Sequence, residues 1–143
     1  MLIARFILIF FISGLQQFHE SRRSEDCYFV YVYFNSIDTK IDSKAGNDYI
    51  YNVNIGQQKV MENGSASFKL CDGDEFSIQC KVKEVDPVFE DESVESQLFL
   101  KSNFKPGVYN YKKEVVVKEQ HGRYSGHASS FMFSFTITVT DKF

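Results

Sequence analysis

The chain has 143 residues, 43% of them apolar and 16% aromatic, and a formal net charge of −3. That is one domain's length with ample apolar side chains for a packed core, which excludes a disordered polypeptide. The mildly acidic balance gives no general attraction for a phosphate backbone, so nucleic-acid binding is not expected.

Residues 1–21 read as a signal peptide with a short polar leader, and residues 22–143 as a single domain. Met1 to Arg5 is a short basic start, Phe6 to Ile12 is unbroken apolar, and Ser13-Gly14 supplies small residues for cleavage. The apolar run falls short of the ~20 residues that span a bilayer. An uncleaved signal anchor is the alternative.

Almost every later segment alternates with period two, the signature of a strand. Tyr28 to Phe34 is β-branched and aromatic throughout, as expected of a strand covered on both faces. Tyr49, Tyr51, Val53 and Ile55 alternate with Asn52 and Asn54. Phe68 and Leu70 precede an Asp72-Gly73-Asp74 turn, after which Phe76, Ile78, Cys80 and Val82 share one face. Leu98 and Leu100 mark a strand before Pro106-Gly107, and Val115 and Val117 lie opposite Glu114 and Lys118. Phe131, Phe133, Phe135, Ile137 and Val139 line one side of the last strand. These segments, with no amphipathic helix, predict an all-β fold: an antiparallel β-sandwich of about seven or eight strands.

Export places Cys27, Cys71 and Cys80 in an oxidising compartment. Three cysteines allow one internal bridge, and all three pairings stay open. Asn63-Gly64-Ser65 is a glycosylation sequon in a turn-like stretch.

Acidic residues fall at the ends of two strand-like runs. Asp42 and Asp48 flank Gly46, just before the Tyr49 run; Glu84, Asp86 and Glu92 follow the Phe76 run. If the two loops meet at one end of the sandwich, five carboxylates face one another. Such a set repels itself unless a hard cation sits among it, and an all-oxygen site suits Ca²⁺. Solvated turn acids are the competing reading, for Glu90-Asp91-Glu92 and Asp72-Gly73-Asp74 above all.

Over residues 27–100 these features resemble a C2 domain, the calcium- and phospholipid-binding sandwich of protein kinase C and synaptotagmin. The family's Asp-x-x-x-Gly-x-Asp loop is matched by Asp42-Ser43-Lys44-Ala45-Gly46-Asn47-Asp48. Its Phe-x-Phe stretch is matched by Phe68-Lys69-Leu70, and its second acidic loop by Glu84-Val85-Asp86 followed by Glu92-Ser93-Val94. The chain departs in having two Glu where the second loop carries Asp, in lacking the Asn-Pro-x-Trp stretch, and in placing Glu95 where Gly is usual. The resemblance implies Asp42, Asp48, Glu84, Asp86 and Glu92 as calcium ligands and anionic phospholipid as a partner. Val88 and Phe89, between the last two acids, are then candidates for shallow membrane insertion; the alternative folds them back onto the sandwich rim. Lys112, Lys113 and Lys118 alternate with Glu114 and Glu119, which fits a mixed-charge face better than a lipid-binding one.

Enzymatic signals are thin. His121 and His127 lack metal-ligand spacing, and Ser125 and Ser130 have no nucleophile-elbow context. The expectation is therefore a secreted, non-enzymatic, C2-like module that binds Ca²⁺ and attaches to phospholipid or another surface. The alternative is a metal-independent sandwich that binds an extracellular protein or a glycan. A small secreted enzyme would need a pocket joining His121 or His127 to an acid.

Overall fold

The computed structural model describes residues 26–42, 48–86, 88–123 and 125–141. The signal-peptide reading of residues 1–21 and Gly46 of the first acidic loop lie outside the described residues. Eight strands form two antiparallel sheets. The first sheet has the order β4 (Ser65–Leu70), β1 (Tyr28–Lys40), β8 (Ala128–Thr140), β7 (Gly107–Lys118). The second has the order β3 (Gln58–Val60), β2 (Tyr49–Ile55), β5 (Glu75–Glu84), β6 (Glu92–Leu100). A single 3₁₀ turn, Lys101–Asn103, is the helical element among the described residues. The β-sandwich predicted from the alternation is the fold.

Period-two alternation becomes the core. Val30, Val32 and Phe34 of β1, Phe131, Phe133, Phe135 and Ile137 of β8, and Phe76, Ile78, Cys80 and Val82 of β5 are all buried between the sheets. Phe34 stacks on Phe135 with ring centroids 5.2 Å apart, and Tyr51 closes on Phe131 from the opposite sheet at 5.6 Å. β1 differs from expectation. Its inner face is covered, but Tyr31 and Tyr33 are 48% and 40% exposed, so the strand is buried on one side only. Its aromatic outer row, which reads as core in the sequence, faces outward.

Register places the connections at two poles. β1 begins opposite Leu70 and Thr140 and ends at Lys40, opposite Ser130. The described residues 41–42, 48, 85–86, 88–91, 119–123 and 125–127 therefore gather at one end. The turns 71–74 and 101–106 gather at the other, where Cys27 bonds to Cys71 and ties the start of β1 to the end of β4. There Lys101, 6% exposed, donates from Nζ to Asp72 Oδ1 at 2.6 Å and lies 4.8 Å from the centre of the Tyr28 ring. Cys80 is free and buried, and burial pushes its thiol pKa up to about 12.

Candidate metal centre

β5 and β7 belong to different sheets, and in each the inward row continues one step past its last apolar residue. In β5 the row Phe76, Ile78, Cys80, Val82 ends at Glu84; in β7 the row Val115, Val117 is followed, just beyond the strand, by Glu119. Side chains two apart point to the same face, so both carboxylates enter the mouth of the sandwich. Asp91 joins them from the turn before β6. Its carbonyl accepts the Glu84 N–H at 2.8 Å, and its Oδ2 accepts the Gln120 N–H at 3.1 Å. The β7–β8 connection is itself clasped by Glu119 N–H to the His127 carbonyl and Gly126 N–H to the Glu119 carbonyl, each 2.9 Å.

The carboxylate oxygens of Glu84, Asp91 and Glu119 lie within 4.8 Å of one another. Glu84 is 4% and Asp91 5% exposed, with Glu119 half-buried. Burial pushes the Glu84 carboxyl above the usual carboxylate range, and the charges of Glu119, Asp91 and Asp86 push the same way. A largely buried acid facing two more acids is accommodated by a proton or by a cation. Oxygens sharing one Ca²⁺ at roughly 2.3–2.6 Å can be at most about 5 Å apart. The triad's spacing is compatible with a shared metal ion.

The described end of the first acidic segment adjoins the second: the Asp48 carbonyl accepts the Val85 N–H at 2.8 Å, and Tyr49 pairs with Glu84. Of the five acids singled out there, only Glu84 belongs to a group of three potential ligands among the described residues. Asp42 turns to His127, Oδ2 to Nδ1 at 2.8 Å, and its N–H donates to Ser129 Oγ. Asp86 accepts the Val88 N–H at 2.8 Å, fixing the loop beside the triad. Glu92 pairs with Lys81 at 2.6 Å, and the Asp48 residue is exposed. The triad instead recruits Asp91, from an acidic run that reads as solvated, and Glu119, from a mixed-charge stretch. Extending each inward row by two residues is the signal that finds Glu84 and Glu119 together.

Val88 and Phe89 stand at the same pole, 72% and 53% exposed. Phe89 stacks on His121, ring centroids 4.9 Å apart, so the tips of the 85–91 and 119–127 segments touch. Asn63 is exposed in the turn between β3 and β4, with a left-handed φ of 63°. His127 is joined to an acid, but the nearby Ser129 is fully buried, its hydroxyl taken by Tyr49 OH at 3.0 Å and by the Asp42 N–H. Surface clefts of about 240, 140 and 260 Å³ are lined by residues that include neither His121 nor His127. No protein-family model matches the chain, and no curated protein does.

Proposed function

We propose that this is a secreted, non-enzymatic, C2-like module that binds Ca²⁺ at Glu84, Asp91 and Glu119 and uses the loaded pole to attach to anionic phospholipid. The observation that carries this reading is the largely buried Glu84 side chain, with a carboxylate oxygen within ligand distance of two further acids. A divalent ion there offsets most of the triad's negative charge, and a lipid phosphate oxygen can take one of its remaining coordination positions beside the exposed Val88 and Phe89 side chains. Extracellular modules bind Ca²⁺ at ~10⁻⁴–10⁻³ M, so a site with two Glu is filled constitutively outside cells. The Cys27–Cys71 bridge and the apolar N-terminal run support export. No helix among the described residues is long and apolar enough to cross a membrane.

Calorimetric titration with Ca²⁺, paired with melting curves, tests the reading. Heat and a raised melting temperature at millimolar Ca²⁺ are expected; a flat titration with unchanged melting removes the metal and the lipid step that depends on it. The second reading, a metal-independent module, is favoured by the hydrogen bond between Asp42 and His127 and by the ion pair of Glu92 with Lys81. It predicts attachment that persists in chelator.

A further inference from the structure

The outer face of β1 carries Phe29, Tyr31 and Tyr33 in one row, side chains about 7 Å apart at ~3.4 Å rise per residue. Hydroxyl-bearing residues flank this row on both sides. Tyr33 is paired with Ser65 of β4 and Thr136 of β8, and Tyr31 with Ser67 and Thr138. A shallow cleft of about 260 Å³ opens along Phe29, Tyr31, Ser67, Phe68 and Lys69. In these rows Lys69 is the one charged side chain. Both edges of β1 are taken by β4 and β8, so the face offers no backbone for an added peptide strand. Aromatic faces edged by neutral hydroxyls match a pyranose, which has an apolar C–H face and a hydroxyl rim.

The head of this row meets the sequon. The β3–β4 turn is pinned to β1 by Asn63 N–H to the Phe34 carbonyl at 2.8 Å and Phe34 N–H to the Gly64 carbonyl at 2.9 Å. The turn is tight: a Cβ on Gly64 would lie 2.8 Å from the Met61 carbonyl oxygen. Tyr33 OH donates to Asn63 Oδ1 at 3.4 Å, leaving Nδ2, the atom that carries sugar, without a hydrogen-bond partner among the described residues.

We propose that Asn63 carries an N-linked glycan whose first sugars lie along Tyr33 and Tyr31, making the outer face of β1 a cradle for the chain's own carbohydrate. This rests on the reading that the chain is exported. Attachment joins Nδ2 to C1 of a lipid-diphosphate-linked oligosaccharide during export; the C1–O bond to the diphosphate breaks, the lipid diphosphate leaves with that electron pair, and Nδ2 loses one proton. The glycan then covers the aromatic row that the fold leaves in solvent.

The test expresses the full chain in eukaryotic cells behind its own leader and, separately, behind a heterologous one. Intact mass before and after peptide-N-glycosidase is expected to show Asn63 occupied, and Ser65→Ala to abolish occupancy. Removing the glycan enzymatically from the folded protein is expected to lower Tm by several degrees. In a Tyr31→Ala/Tyr33→Ala background the same removal should leave Tm nearly unchanged. An unmodified Asn63 behind the heterologous leader overturns the proposal, as does an equal Tm loss in both backgrounds. A free chitobiose that raises the Tm of the unglycosylated chain as much as the attached glycan does also overturns it, in favour of an external sugar. Failure of export behind the native leader alone, with the heterologous-leader results as expected, removes the export reading and supports the cradle.

Discussion

Glu84 ends a strand of one sheet and Glu119 directly follows a strand of the other, yet a carboxylate oxygen of each comes within 4.8 Å of the other because each continues an apolar inward row into the open end of the sandwich. The two sheets thus share an acidic mouth, with Asp91 as its third wall. If this mouth is the Ca²⁺ site, Glu84→Gln and Asp91→Asn each weaken Ca²⁺ binding by at least about tenfold, as loss of a metal-holding group does. Asp48→Ala and Glu92→Ala leave it nearly unchanged, and calorimetry distinguishes the pairs. Glu84→Gln also relieves repulsion, so without metal it melts higher than the native chain.

The raised Glu84 pKa sets a pH dependence. Its folded-state value lies above the ordinary 4.5, so the folded chain holds that proton more tightly than the unfolded one. This stabilisation is fully present below the unfolded value and is lost as pH rises through the folded one. Melting curves of native chain and Glu84→Gln in chelator are therefore expected to converge toward acid pH. They separate at neutral pH, with the variant higher, and added Ca²⁺ reverses the order by stabilising the native chain alone.

Val88 and Phe89 are exposed, and on the proposed reading they form the membrane contact. Val88→Ser/Phe89→Ser is expected to abolish Ca²⁺-dependent sedimentation with phosphatidylserine vesicles while leaving the calorimetric Ca²⁺ affinity and Tm close to native. Retention of vesicle binding by this variant would exclude the tip from the contact.

The Cys27–Cys71 bridge spans a sequence separation of 44. Chain-entropy reasoning assigns such a loop about 4 kcal/mol, and Cys27→Ser/Cys71→Ser is expected to lose roughly 2–4 kcal/mol in urea unfolding. Cys80, with its thiol pushed up to about 12 inside the core, should resist thiol reagents in the folded chain and react once denaturant is added.

Most of the fold is legible where one face is buried. β5 and β8 alternate along nearly their whole lengths because each is a central strand of its sheet. The first half of β6 was not legible: Glu92 to Gln97 lies on an edge strand, largely exposed on both faces, so burial imposes no apolar period. β1 misleads in the other direction, since Tyr31 and Tyr33 look like core and are outward. At the site, the adjoining of the two acidic segments could be anticipated from strand ends. Asp91 could not, because it is held by its carbonyl accepting the Glu84 N–H and its carboxylate accepting the Gln120 N–H, bonds that leave no trace in local composition. Nor does composition foretell that Asp42 meets His127 and Glu92 pairs with Lys81, partners fixed by the loop between β7 and β8 and by cross-strand neighbourhood.

The covalent clamp at Cys27 fixes where the polypeptide enters the sandwich: at the end remote from Glu84, Asp91 and Glu119. A tag, surface tether or fused protein joined upstream of Asp26 thus leaves the molecule pointing its acidic end away from the attachment. Orientation on a sensor chip, or on a cell coat, is built in by a single bond.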